Sequence, residues 1–362
     1  MPHAEPTHST PGAIRGRGAA ENPPNRFERL SIELEPEALV DDDGQPIATR
    51  TIFLRDDTQS IISYNSSPDI PFDASVNPYR GCEHGCAYCY ARPTHEYAGF
   101  SAGIDFESRI LVKERAPELL RAELSRKSWK PQVINMSGVT DCYQPIERRL
   151  QLTRGCLAVL AEFRNPCVMI TKNHLVTRDI DHLSELARRG AAAVALSITT
   201  LDPELAKKLE PRASPPSRRL AAIRELSSAG IPTMVFMAPV IPGLNDHELP
   251  AVLSAAAEAG AAEASYTTLR LPGAVAPIFE QWLDLHAPGS KDKVLGRIRE
   301  LRGGKLNDPQ FGSRMRGDGF YAEQIKSLFV LACRKAGFKG KRWSNLSTAD
   351  FRVPTNQLTF DW

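Results

Sequence analysis

The most constraining feature of this 362-residue chain is the run Gly81-Cys82-Glu83-His84-Gly85-Cys86-Ala87-Tyr88-Cys89-Tyr90. Its three thiols, at CxxxCxxC spacing, lie close enough in one loop to ligate a single cluster, and an iron–sulfur cube ordinarily takes four protein thiolates. Three thiolates leave one iron open, and an open iron can chelate a small molecule. Two plainer readings stand beside this one. Zinc takes tetrahedral thiolate and imidazole sites, so Cys82, Cys86, Cys89 and His84 form a conceivable set, although zinc ribbons usually pair two CxxC knuckles and no second knuckle is present. Cysteines also pack as small hydrophobes, but three on a loop with two glycines and charged neighbours do not form a core pattern.

With 42% hydrophobic and 24% charged residues, the chain can bury a full core in one large domain with appendages. A net charge of +2 says little by itself, but its distribution is uneven. Residues 291–362 hold fifteen Lys and Arg against seven Asp and Glu, leaving the first 290 residues net acidic. Such a C-terminal extension suits an anionic partner, and it equally suits a solvated helical face. Seven cysteines without disulfide-framework spacing, and no apolar leader, point to the reducing cytoplasm. No apolar run is long enough to span a membrane, so no membrane partner is expected. Cys142, Cys156, Cys167 and Cys333 are scattered among apolar residues and read as buried small side chains.

Residues 1–27 carry five prolines and no apolar periodicity, the composition of a disordered tail. Residues 28–70 read as an N-terminal arm with short strands around Ile52, Phe53, Ile61 and Ile62. A βα rhythm then sets in across 71–290. Residues 73–79 lead into the cysteine loop, and 87–97 reads as the start of the first helix. Strands follow at 133–136, 167–171, 194–199, 233–237 and 264–271, with helices at 117–126, 153–163, 179–189, 217–229 and 248–259. Gly230 and Gly260 stand where two of these helices end. Short apolar strands alternating with helices imply parallel pairing through right-handed crossovers, and ligand groups in α/β barrels gather beyond the C-terminal ends of the strands. At those ends lie Ser137-Gly138-Val139-Thr140-Asp141, Thr171-Lys172-Asn173, Ser197-Ile198-Thr199-Thr200 and Pro239-Val240-Ile241-Pro242-Gly243-Leu244-Asn245-Asp246. A solvated lysine at a strand end is the plain reading of Lys172.

The cysteine spacing, Gly81 before the first thiol and Tyr88 before the third resemble the radical S-adenosylmethionine (SAM) superfamily. Asn77-Pro78-Tyr79-Arg80 leading into the loop, then Thr140-Asp141 and Lys172, resembles its spore photoproduct lyase branch. Leu209-Glu210-Pro211-Arg212, Arg270-Leu271-Pro272 and the run 309–317 resemble a bacterial subgroup of lyase-related proteins. The resemblance implies an α/β fold, a partial (β/α)6 TIM-like barrel over 71–290, with the tail before it and a helical, basic extension over 291–362. It implies a 4Fe-4S cluster on Cys82, Cys86 and Cys89, and S-adenosylmethionine cleaved to a 5′-deoxyadenosyl radical that abstracts hydrogen from substrate. It places Tyr88, Thr140, Lys172, Ser197, Ile241 and Gly243 at the SAM site. There Thr140 belongs to the element that binds the amino group, and Ile241 contacts adenine through its backbone. Pro239 and Asp246 depart from the superfamily's GxIxGxxE pattern at its first and last positions.

Tyr90 matches a tyrosine that the lyases place near the radical path. Those lyases return hydrogen from a cysteine two positions before the residue matching Thr140, and here that position is Gly138. Cys142 or Tyr90 is then the candidate donor, unless SAM is consumed rather than regenerated. The partners implied are a reductase or a flavodoxin- or ferredoxin-type electron donor, with nucleic acid as the first substrate to test. The competing reading is a non-catalytic iron–sulfur or zinc protein that binds nucleic acid through its basic C-terminal region.

Overall fold

The computed structural model describes residues 12–27, 50–338 and 346–354. Among the described residues ten strands are formed: β1 (Ile52–Arg55), β2 (Ile62–Tyr64), β3 (Ala74–Val76), β4 (Tyr79–Arg80), β5 (Arg109–Val112), β6 (Ile134–Met136), β7 (Cys167–Thr171), β8 (Ala192–Ser197), β9 (Thr233–Val240) and β10 (Glu263–Thr268). Seven of them make one sheet in the order β10-β9-β8-β7-β6-β3-β2, in which β3 to β10 pair in parallel and β2 adds an antiparallel edge. Six parallel strands with intervening helices and two unjoined edges make the expected partial barrel. A small second sheet, β1-β5-β4, flanks it.

Alternation along the strands decides what faces the helices. Ile134 and Met136 on β6, Cys167 and Met169 on β7, Val194 and Leu196 on β8, and Val235 and Met237 on β9 enter one apolar core. There they meet Leu157 and Leu160 of helix 152–163, Leu183 and Leu186 of helix 180–187, Ile223 and Leu226 of helix 216–228, and Leu253 of helix 249–258. Each such side chain, fully buried, contributes about 1.5–3 kcal/mol. The alternate positions, Ser75, Asn135, Val168, Ala195 and Phe236, point to the barrel interior. β8 is buried at every position, as a central parallel strand covered on both faces should be.

Two expectations change. The helix foreseen from residue 87 begins only at Arg92, as the 3-10 helix Arg92–Ala98. Residues 83–91 instead form tight turns, with Gly85 at φ +66° and the Cys89 N–H donating to the Cys86 carbonyl. In the foreseen tail, residues 1–11 lie outside the described residues, but 12–27 pack against the barrel. The Gly18 and Ala19 N–H groups donate to the two carboxylate oxygens of Glu107 at 3.0 and 2.9 Å, and Arg17 donates to the Glu107 carbonyl. A buried carboxylate therefore captures this segment, which its proline content disguised.

Helices 291–301 and 320–336 build the C-terminal extension. Between them the run 308–317 crosses the open side of the barrel. Met315 accepts a bond from the Thr268 N–H at the end of β10, while the Gly312 N–H and Arg314 Nε reach Asp69, ahead of β3, at 2.8 and 2.6 Å. A strap thus joins the two strand edges that the sheet leaves apart.

Candidate active site

The cysteine loop is held from several directions. Gln144 accepts from the Glu83 N–H and donates to the Gly81 carbonyl. Glu83, buried in turn, accepts from the Ile146 N–H at 2.7 Å and pairs with Arg212 at 2.9 Å. Arg92 donates twice to the Cys86 carbonyl and pairs with Glu107, both side chains being wholly buried. Gly18 of the N-terminal segment lies so close that a Cβ there would meet the Gly85 carbonyl oxygen at 1.8 Å. These partners come from five separate stretches of chain, which lets a glycine-rich loop keep one shape despite its conformational freedom.

Cys82 and Cys86 are buried and Cys89 is partly buried, and burial pushes all three thiols up. Among the described residues no three His, Cys, Asp or Glu side chains are already drawn together as an ion site. The donor chemistry fits an iron–sulfur cluster better than zinc. His84, the one imidazole inside the loop, has Nδ1 3.3 Å from Asp141 and Nε2 3.2 Å from the Asn173 amide, so both ring nitrogens are engaged away from the sulfurs. Zinc would lack its fourth ligand in this arrangement.

Asp141 organises the strand ends next to the loop. Its carboxylate accepts from Thr171 Oγ1, the Lys172 N–H and the Tyr143 N–H at 2.8–2.9 Å. Burial pushes this carboxyl up, but His84 and those backbone donors outweigh burial and hold it at about 2. Asn77 does similar work for the next loop, accepting from the Val139 and Thr140 N–H groups. The Thr140 hydroxyl donates to the Tyr79 carbonyl at 2.8 Å.

Lys172, Ser197 and Tyr88 come together. Lys172 Nζ donates to Ser197 Oγ at 2.7 Å and to the Ala238 carbonyl at 3.2 Å, and lies 5.8 Å from the centre of the Tyr88 ring. An ammonium has three N–H donors, so one remains for a ligand. The Tyr88 hydroxyl donates to Glu210 and lies 3.1 Å from Thr199 Oγ1, which donates to the same carboxylate at 2.5 Å. Arg219, 1% exposed, pairs with Glu210 and donates to the Ser197 and Ser214 carbonyls. Burial raises the Glu210 carboxyl, but Arg219, Lys172 and Thr199 bring it down to about 2. Glu210 and Arg219 were not singled out for any role at this site in the sequence. The only available signal was the charged Glu210-Pro211-Arg212 run after helix 203–209.

Ile241 and Gly243 are placed less openly than the resemblance implied. The Ile241 N–H donates to Asn245 Oδ1 at 2.6 Å, and its carbonyl accepts from the Leu244 and Asn245 N–H groups. Both backbone groups are therefore spent inside the turn, and the side chain is fully buried in the apolar cluster that includes Cys86 and Tyr88. Gly243, at φ +79°, lies against the Lys293 side chain of helix 291–301. Tyr90 sits half-exposed at the barrel mouth, under the guanidinium of Arg270. Cys142 is 1% exposed within the main core, its N–H bonded to Ser137 Oγ and its carbonyl to the Thr153 hydroxyl. The structure thus separates the two candidate hydrogen donors, one at the mouth and one in the core. Lys339, Lys341 and Arg342, part of the basic extension, lie outside the described residues. Among the described residues no helix is long and apolar enough to cross a membrane.

Comparison with known proteins agrees with this geometry. The chain is 37% identical over 250 residues to "Uncharacterized protein Rv2578c" of Mycobacterium tuberculosis, covering 68% of this chain and 72% of that one. It is 33% identical over 173 residues to "Uncharacterized protein MJ0683" of Methanocaldococcus jannaschii, covering 48% and 62%. In structure it is similar to spore photoproduct lyase complexed with dinucleoside spore photoproduct, with a TM-score of 0.55 at 14% identity over 78% of this chain and 79% of that one. A lyase variant with bound AdoMet and the same dinucleoside gives 0.56 at 15% identity, over 86% and 85%. The profile of the Radical SAM superfamily matches residues 76–256, the stretch from the end of β3 to helix 249–258 that carries the cysteine loop and the ends of β6 to β9, and the chain belongs to that superfamily, whose members work with a 4Fe-4S cluster and S-adenosylmethionine.

Proposed function

We propose that this chain is a lyase-like enzyme that reductively cleaves S-adenosylmethionine and directs the resulting radical at nucleic acid. The observation that carries the reading is the meeting of Lys172, Ser197 and Tyr88 at the strand ends beside the cysteine loop. Cys82, Cys86 and Cys89 would hold the 4Fe-4S cluster, which when bound would supply reductive scission of SAM to a 5′-deoxyadenosyl radical.

The other residues bind and orient. Lys172 offers its remaining N–H to the SAM carboxylate, and Ser197 fixes that ammonium. Tyr88, its hydroxyl tied to Glu210, presents a ring that cannot swing away, and the Ile241 side chain completes an apolar wall toward adenine. Thr140 and Gly243 hold backbone shape, since the Thr140 hydroxyl is taken by Tyr79 and Gly243 permits the turn. Tyr90 stands toward the substrate. Lyase-like action on nucleic acid is supported by the lyase-type motifs and by the cationic side chains Arg270, Arg314 and Arg316 around the mouth. A reductase or a flavodoxin- or ferredoxin-type protein supplies the electron.

Anaerobic reconstitution tests the reading. We expect about four irons per chain and a brown chromophore lost in each of Cys82→Ala, Cys86→Ala and Cys89→Ala but kept in Cys142→Ala, Cys156→Ala, Cys167→Ala and Cys333→Ala. Added SAM and a strong reductant should yield 5′-deoxyadenosine. A scattered cysteine as essential as the loop three would overturn the open-iron assignment, because a fourth thiolate would occupy the SAM position. A reconstituted chain that cleaves no SAM would refute the enzymatic reading.

A further inference from the structure

Asn135 is 1% exposed, and neither its Nδ2 nor its Oδ1 has a hydrogen-bond partner. A buried carboxamide with both ends unpaired is costly, so something outside the described fold is needed to account for it. Its surroundings say what. Asn135 lies on β6 between Ile134 and Met136, which face the apolar core, so its side chain faces the barrel interior. Its register partners there are Ser75 on β3 and Val168 on β7, and the valine offers no polar atom. A Cβ on Gly138 would lie 3.6 Å from Asn135 Nδ2, and the Gly138 carbonyl accepts the Tyr90 hydroxyl at 3.1 Å. Above the Tyr90 ring, 5.5 Å from its centre, stands the guanidinium of Arg270, which makes no hydrogen bond and no ion pair among the described residues.

We infer that Asn135 and Arg270 are the two ends of a substrate subsite for a nucleotide, the carboxamide reading the edge of the base inside the barrel and the guanidinium holding a phosphate at its mouth. A carboxamide presents a donor and an acceptor side by side in one plane, and its complement is a heterocycle with an acceptor beside a donor. An unpaired guanidinium matches phosphate in the same planar way. Tyr90, between the two, supplies a ring face and a hydroxyl fixed by Gly138. The inference rests on the proposed function only in its choice of nucleic acid as the substrate class.

The probe is thymidine 5′-monophosphate, because a purine nucleotide would also fit a SAM adenine site. Binding is read by calorimetry and by the shift in melting temperature of the reconstituted chain. We expect Asn135→Leu to melt higher than wild type without nucleotide, since the unpaired amide is gone, and to bind the probe about tenfold or more weakly. Arg270→Gln should weaken the monophosphate while leaving thymidine unchanged, which separates the phosphate end from the base end. A lower melting temperature in Asn135→Leu, equal affinity of variant and wild type for the probe, or equal loss of thymidine and its monophosphate in Arg270→Gln would each overturn the subsite. Formation of 5′-deoxyadenosine by wild type without nucleotide is measured in parallel. Its absence counts against the proposed function, while its presence together with any of those three outcomes counts against the subsite alone.

Discussion

The Tyr90 hydroxyl donates to the carbonyl oxygen of Gly138 at 3.1 Å, so the tyrosine from the cysteine loop rests on the residue that the lyase resemblance sets in the place of a hydrogen-donating cysteine. Gly138 is also tightly packed. A Cβ there would meet Ser75 Cβ at 2.8 Å and Ser75 Oγ at 2.9 Å, closer than side chains pack. Ser75 is fixed on β3 by its register with Asn135, so the strain cannot be relieved by a distant flexible end. Gly138→Ala should therefore destabilise the chain by about 1–3 kcal/mol, and Ser75→Gly in the same chain should restore most of the loss. Chemical denaturation of the two single variants and the double variant checks this. Additive losses would show that the two positions do not collide.

With no thiol at 138, closure of the radical cycle falls to another residue or fails. Cys142 is enclosed in the core, whereas Tyr90 is open to the mouth. Cys142→Ala should therefore leave the ratio of 5′-deoxyadenosine to product unchanged, and Tyr90→Phe should raise it. On oligonucleotides bearing spore photoproduct, more 5′-deoxyadenosine should be released per repair than by a spore photoproduct lyase. An unchanged ratio in Tyr90→Phe, or a changed ratio in Cys142→Ala, would contradict the assignment.

Glu210 links the ring of Tyr88 to the buried guanidinium of Arg219. Its carboxyl is held at about 2, below the ordinary 4.5, so its stabilising effect is complete above pH 4.5 and fades as pH falls toward 2. Glu210→Gln leaves Arg219 buried and unpaired, and should cost about 3–5 kcal/mol at neutral pH. The gap between wild type and variant should then narrow across that acid window. Urea denaturation at pH 7, 4.5 and 3 measures it, and a gap constant with pH would mean that Glu210 is not the ionised partner of Arg219.

Much of the barrel was legible because its strands are short apolar runs separated by helices with glycine stops; the Cys167–Thr171 strand matches its sequence boundaries, and the others shift by a few residues. The cysteine loop was legible because three thiols lie within eight positions. The Tyr88–Glu210–Arg219 network was not, since Tyr88 and Glu210 are 122 residues apart and no local spacing ties a tyrosine to a carboxylate across a barrel. Asn135 was invisible for the opposite reason. Its significance is the absence of partners, and sequence shows residue types, not what surrounds them.

The N-terminal segment shows how a composition signal can mislead. Its prolines suggested a loose tail, yet one of its glycines, Gly18, lets it approach the cysteine loop. Gly18 passes within reach of the Gly85 carbonyl, and Gly103 would meet the Glu21 carbonyl at 2.0 Å if it carried a Cβ. The buried Glu107 carboxylate binds Gly18, Ala19 and Arg92 together, so the segment closes over the same residues that hold the Cys86 carbonyl. Gly18→Ala cannot be accommodated without lifting the segment, because the obstacle is backbone oxygen and not a movable side chain. Lifting it opens the loop to solvent and oxygen. The reconstituted Gly18→Ala chain should take up about as much iron as wild type, since no ligand is lost, but its brown absorbance should bleach faster in air. Glu107→Gln, which weakens the same anchorage from the other side, should bleach faster too. Equal bleaching rates in all three chains would mean that the segment does not shield the cysteine loop.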